Sequence, residues 1–215
     1  SPLLANVLLD EVDRELERRG HKFVRYADDC NVYVKSLKAG QRVLQALRRC
    51  YAKLALQVNE AKTAVARVWG RKFLGYCIRR SKEGGKRAVS EQALRKLRRR
   101  IRALTRGTRG RSLAQVAQDL RAYVPGWKAY FQLAQTPKVM DDLDKWLRRR
   151  LRVLQLKQWK RGTTIYRELR KLGASVRVAG HVAVNNRRWW RNSDRLLKTV
   201  MTIGYFDRMG VPRLS

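Results

Sequence analysis

The stretch "FVRYADDCNVYVK", Phe23 to Lys35, decides how the chain is read. Apolar and polar residues alternate on either side of Ala27-Asp28-Asp29, which predicts strand, tight turn, strand, with Phe23, Val24, Val32 and Val34 as buried candidates. Aspartate is a common turn residue, and two of them at a tip need no further function. Their setting argues for one. The 215 residues include 51 Lys and Arg against 17 Asp and Glu, a formal net charge of +34. Such a surplus repels itself until a polyanion neutralises it. A carboxylate pair on a phosphate-binding surface would repel the ligand unless divalent metal sits between them. Two Mg²⁺ ions about 4 Å apart activate an attacking 3′-hydroxyl and stabilise a leaving pyrophosphate. Mg²⁺ takes carboxylates together with substrate phosphates, so aspartates on a rigid tip suit it.

Composition narrows the partners. Apolar residues make up 44% of the chain, ordinary for a globular protein. No apolar run approaches the roughly 20 residues of a spanning helix, which sets a membrane partner aside. "SPLLANVLLDEVDREL" lacks the basic flank of a signal peptide. The cysteines, Cys30, Cys50 and Cys77, form no CxxC pair, and His21 and His181 are the two histidines, so the residues predict reduced thiols and no zinc site. The expectation is a cytoplasmic, nucleic-acid-associated protein of bacterial type.

Leu3, Leu4, Val7, Leu8, Val12 and Leu16 recur at helical steps, and Gly20 stops that helix. Val43, Leu44, Leu47, Tyr51 and Leu54 predict a second one. "LQVN" and "TAVARVW" are short strand candidates, and "RKFLGYCIRR" reads as a further strand. From Ser81 onward nearly everything reads as basic helix. Ser90 caps a helix with the stripe Leu94, Leu97, Ile101 and Leu104, and Ser112 caps one with Leu113, Val116, Leu120 and Tyr123. Between them lies a basic glycine loop, "TRGTRGR". Pro125-Gly126 is expected to kink or end the second of these helices. Thr136 and Pro137 restart the chain as cap and first helical position, with the stripe Val139, Leu143, Trp146, Leu147, Leu151 and Leu154. Shorter helices are expected over Ile165 to Leu172 and Asp194 to Met201. The fold class is α+β.

"YADD" between apolar strands resembles the catalytic hairpin of reverse transcriptases, and the order of the surrounding motifs sharpens the likeness. "SPLLANVLLDEVDREL", "VNEAKT" and "KFLGY" are similar to successive palm segments of group II intron reverse transcriptases. "YVPGWKAYF", "LDKWLRRRLR", "QWKRG" and the closing "YFDRMGVPRLS" resemble the thumb and maturase region of the same family. The resemblance spans essentially the whole chain. It implies a partial palm over residues 1–80, a helical thumb over 81–135 and a helical maturase region over 136–215. Under it Asp28 is the metal-binding aspartate and Asp29 its neighbour and possible second ligand. Tyr26 and Ala27 lie near the incoming nucleotide and primer end. Lys62 would neutralise or protonate the leaving pyrophosphate, against the plainer reading of an exposed lysine after a turn. Phe73, Leu74, Gly75 and Tyr76 form the primer grip, a role compatible with a core strand. Implied partners are group II intron RNA, an RNA template with DNA primer, dNTPs and a DNA target.

The family's further palm aspartate lies upstream of "SPLLAN", and Asp10, Glu11 and Asp13 read as the solvated face of a helix. The expectation is therefore a two-metal site incomplete in this chain, and little or no polymerisation by the chain alone. Arg98, Arg99 and Arg100, Arg148, Arg149 and Arg150, and Lys157, Lys160 and Arg161 form three cationic clusters. One cluster would be a solvated face; three with so little acid predict phosphate binding. Most of the six tryptophans read as core, whereas Trp189 and Trp190 in "NNRRWWRNS" are candidates for stacking on unpaired bases. His181 reads as a packing or surface residue, and DNA cleavage is not expected. Two rival readings stand beside the first. One is a non-catalytic RNA-binding splicing factor; the other is an inactive remnant with an uncovered sheet edge.

Overall fold

A computed structural model describes residues 2–82, 84–106 and 110–215, so the middle of "TRGTRGR" lies outside the described residues. The chain forms two compact units, Ser1–Val68 and Trp69–Ser215.

In the first unit, α1 (Pro2–Arg18) leads into strands β1 (Lys22–Tyr26) and β2 (Asp29–Tyr33), then α2 (Leu37–Lys53). Ser36 caps α2 by accepting a hydrogen bond from the Ala39 amide. The strands pair antiparallel with Phe23 opposite Val32 and Tyr26 opposite Asp29. Side chains alternate along a strand, so Phe23, Cys30 and Val32 pack on the small core of Leu9, Val12, Leu16 and Val43. Val24 and Val34 are exposed instead, a correction to the expected buried set. The α1 stripe is corrected too. Leu9 joins Val12 and Leu16 inside, whereas Leu3, Leu4 and Val7 are each about two-thirds exposed. Residues 56–59 and 63–68 are not strands. A strand needs a neighbour to pair with, and here Val65 packs side-on against Gly40 of α2 instead.

The second unit opens with a three-stranded antiparallel sheet in the order β3 (Lys72–Phe73), β4 (Tyr76–Ser81) and β5 (Gly84–Val89). The single strand expected over "RKFLGYCIRR" is thus a hairpin that turns at Leu74-Gly75, and β5 replaces the basic helix expected there. "GGKRAV" has little strand propensity of its own; six register pairs with β4, closed by Ser81 opposite Gly84, hold it. Among the described residues, helices α3 (Glu91–Leu104), α4 (Leu113–Tyr130), α5 (Pro137–Trp159), α6 (Gly162–Lys171), α7 (Val176–Val184), α8 (Trp189–Arg195), α9 (Leu197–Val200) and the short α10 (Ile203–Arg208) follow. Their inward residues, among them Leu97, Ile101, Leu120, Leu147, Leu151 and Phe206, form one continuous core.

The expected caps at Ser90 and Ser112 are made, the second as a reciprocal capping box with Gln115. Thr136 is the residue before α5 but makes no side-chain cap bond. Helix α4 runs through Pro125 to Tyr130 rather than ending there. Proline costs a helix one hydrogen bond. Beyond it, Trp127 and Phe131 stack with ring centres 4.6 Å apart, and both pack on the core. Among the described residues no helix is long and apolar enough to cross a membrane.

Candidate functional site

The acidic hairpin belongs to the first unit. Asp28 and Asp29 are both exposed, one in the two-residue turn and one at the start of β2. Ala27 adopts a left-handed φ of 52°, which costs an L residue about 1 kcal/mol or more. Arg25 holds that turn. Its Nη1 donates to the Ala27 carbonyl oxygen and to Asn6 Oδ1, both at 3.0 Å. Its Nε and Nη2 donate to the Asp13 carboxylate at 2.6–2.9 Å. The pair is mostly screened from water, with side chains 13% and 20% exposed. Asp13 keeps the Arg25 guanidinium charged, raising its pKa against the opposing effect of burial. Asp13 is therefore a brace and not the solvated residue that sequence alone suggested. Burial pushes the neighbouring Cys30 thiol up to about 11.

The two aspartates offer hard carboxylate oxygens on a fixed, open turn, a donor set that suits Mg²⁺. Among the described residues no group of three or more His, Cys, Asp or Glu is assembled to hold a metal ion. Tyr26 is 63% exposed beside them. Lys62 is exposed at the end of a turn in which its amide bonds to Asn59, and no ion pair links it to either aspartate.

The "KFLGY" hairpin lies in the second unit. Leu74 and Gly75 both have positive φ, 49° and 78°, as a type I′ turn requires. Aromatic side chains of α4 fix the turn. Tyr76 donates its hydroxyl to the Tyr130 carbonyl oxygen at 2.6 Å, and Tyr130 donates back to the Leu74 carbonyl oxygen at 3.0 Å. A Cβ on Gly75 would lie 3.0 Å from Phe131 Cζ, so only glycine gives both the backbone angle and the clearance. Phe73 is half-buried on the strand side of the turn.

The cationic clusters do not share one environment. Arg99 and Arg100 face solvent on α3, Arg100 with its guanidinium 5.8 Å from the Tyr123 ring centre, and Arg98 reaches Glu91 at 3.6 Å. On α5, Arg148 is half-buried. Arg149 stacks 4.1 Å over Trp190 and pairs with Asp194 at 3.6 Å. Arg150 donates to Thr105 Oγ1 at 2.8 Å, and burial, then the nearby Arg102, lowers its pKa. Lys157, Lys160 and Arg161 are exposed, Lys157 with its ammonium 4.5 Å over the Trp189 ring.

Sequence reasoning missed Arg152, which sits in the same run but is 5% exposed. It donates to the carbonyl oxygens of Met201 at 2.8–3.0 Å and Ser193 at 3.4 Å. Burial lowers its pKa to about 10. Asp144 was missed as well. Its buried carboxylate accepts from the amides of Leu214 and Ser215 at 2.9 and 3.0 Å, which ties down the closing segment.

Comparison with known families agrees with this arrangement. Residues 1–78 match the model for reverse transcriptase (RNA-dependent DNA polymerase). Residues 94–173 match the model for the group II intron maturase-specific domain. A search of curated proteins gave no match. With a reverse-transcriptase segment bearing the YADD hairpin followed on one chain by the maturase-specific helices, the protein belongs to the group II intron-encoded reverse transcriptase/maturases.

Proposed function

We propose that the second unit binds structured intron RNA through the outer faces of α3 and α5, assisting splicing and mobility. The observation that carries this reading is α3. Its inner stripe of Leu94, Leu97, Ile101 and Leu104 is buried, while Lys96, Arg99 and Arg100 line the outside with no carboxylate in ion-pair range among the described residues. An outer face of this kind releases counterions from RNA phosphates, which makes affinity fall steeply with salt. The test is fluorescence anisotropy of a folded intron-domain RNA with the intact chain, between about 50 and 200 mM salt. At least a ~100-fold loss of affinity is expected for six or more phosphate contacts. A flat salt response contradicts the reading.

In the first unit, Asp28 and Asp29 act as ligands for Mg²⁺ in RNA-templated DNA synthesis. The metal, when bound, would lower the pKa of the primer 3′-hydroxyl and neutralise phosphate charge. Arg25 and Asp13 fix the turn that presents the two carboxylates, Tyr26 and Ala27 border the primer end, and Lys62 faces the leaving pyrophosphate. Phe73, Leu74, Gly75 and Tyr76 hold the primer backbone. By role the chain divides into palm (1–80), thumb (81–135) and maturase region (136–215). Template–primer duplex, dNTPs and target DNA are the partners of the complete polymerase.

The chain by itself is expected to extend no primed template, because among the described residues Asp28 and Asp29 have no third carboxylate grouped with them. Asp28-dependent product from the purified chain would overturn that statement. The same shortfall favours a second reading, an RNA-binding splicing factor without polymerisation. In that case Asp28→Asn changes nothing measurable in any assay of the full protein.

A further inference from the structure

A cleft of about 310 Å³ opens in the second unit between the end of α3, the outer side of α5 and the start of α8. It is lined by Thr105 and Arg106 after α3, by Arg150, Val153, Leu154 and Lys157 of α5, and by Trp189 and Trp190 of α8. The cations here are unusual for their setting. Arg150 is half-buried, and among the described residues its hydrogen bond runs from Nε to the neutral Thr105 hydroxyl; its guanidinium lies 5.4 Å from the Trp146 ring centre, and the charge acting on it is that of another arginine, Arg102. Among the described residues no carboxylate lies within ion-pair distance of Arg106, Arg150 or Lys157. A partly desolvated guanidinium without a counter-charge is costly, and an anion entering the cleft would relieve that cost. The tryptophans supply the second half of a recognition surface. They remain 38% and 46% exposed, although Lys157 lies over Trp189 and Arg149 over Trp190. These cations set the ring orientations while the rings still border the cleft.

We infer that this cleft takes one unpaired RNA nucleotide, with its phosphate against Arg106, Arg150 and Lys157 and its base against Trp189 and Trp190. The volume lies at the lower end of the ~300–1,000 Å³ typical of small-ligand sites. That suits a single extruded nucleotide and excludes a duplex. Base stacking on an aromatic ring has the strength to discriminate bulged from fully paired RNA. The inference rests on the RNA-binding reading above and adds a specificity to it: duplex is gripped by the basic helix faces, whereas a bulge or loop nucleotide is read in this cleft.

The experiment uses the intact chain and two RNA hairpins of equal length, one fully paired and one with a single bulged 2-aminopurine. Binding is followed by anisotropy and the bulge by 2-aminopurine fluorescence. The wild-type chain is expected to bind the bulged hairpin about tenfold more tightly and to quench its fluorophore. Trp190→Ala and, separately, Arg106→Gln are expected to bring the two hairpins to equal affinity while leaving the paired one within about twofold. Arg106 is exposed, so its variant keeps the test sound if Trp190→Ala unfolds the unit, which circular dichroism reports. Equal binding of both hairpins by the wild type, without quenching, overturns the cleft assignment and leaves the RNA-binding reading standing. No binding of either hairpin overturns both. Quenching of free 2-aminopurine riboside monophosphate by the protein at similar concentration, with no preference between the hairpins, also overturns it, since the site would then be one for mononucleotides.

Discussion

The two tight hairpins use the same backbone device in opposite surroundings. Each turns in two residues and forces a non-glycine residue to positive φ, Ala27 in one and Leu74 in the other. The Ala27 turn is held from one side by a polar brace, Arg25 with Asp13, and leaves its two carboxylates in water. The Leu74 turn is held by aromatic rings and two tyrosine hydroxyls. The contrast follows from what each turn has to present. An ion pair fixes backbone while leaving the two carboxylates hydrated. Aromatic packing fixes backbone by contact, and it brings Phe131 Cζ to 3.0 Å from where a Cβ at the second turn position would lie.

The largest expected effect that bears on this contrast is Gly75→Ala. It adds strain at φ 78° and a 3.0 Å approach to Phe131. We expect a loss of about 3 kcal/mol in chemical denaturation of the second unit. A loss below about 1 kcal/mol would mean that the aromatic clamp yields. Next comes Arg25→Gln, expected to cost about 2 kcal/mol and to raise hydrogen exchange across residues 22–33, since Asp13 is left part-buried without its partner. Unchanged exchange there would remove the brace from the account. Ala27→Gly should move the other way, gaining about 1 kcal/mol by relieving the left-handed residue. The smallest effect is chemical. With its thiol pushed up to about 11, Cys30 should alkylate near pH 8 far more slowly than the same thiol in the denatured chain. The raised value also gives a sign for stability: the folded state holds the proton from about 9 to about 11, so stability declines as pH rises through that window.

Much of this was legible in the residues because helices announce themselves by period. Leu94, Leu97, Ile101 and Leu104, framed by Ser90, read as a buried stripe and are one. Position along a helix was less legible where the stripe was wide, so α1 was read with Leu3, Leu4 and Val7 inside and Leu9 outside. β5 escaped because two glycines and two cations carry no strand signal, and what holds it is its register with β4. Partners far apart in sequence were invisible: Arg25 meets Asp13 twelve residues away, and Arg152 meets Met201 forty-nine away. Within "RRRLR", one letter stands for a half-buried cation, Arg148, a ring-stacked one, Arg149, and a buried hydrogen-bond donor, Arg152. Only packing around α5 separates them.

The division of labour between the two units is the claim most open to direct contradiction. RNA affinity would be compared for the wild-type chain, for Arg98, Arg99 and Arg100 all changed to Gln, and for Asp28 and Asp29 both changed to Asn. The arginine variant is expected to bind at least about tenfold more weakly, with a salt slope lower by about 2. The aspartate variant is expected to bind RNA within about twofold of the wild type. Weakened binding in the aspartate variant together with unchanged binding in the arginine variant would contradict that division.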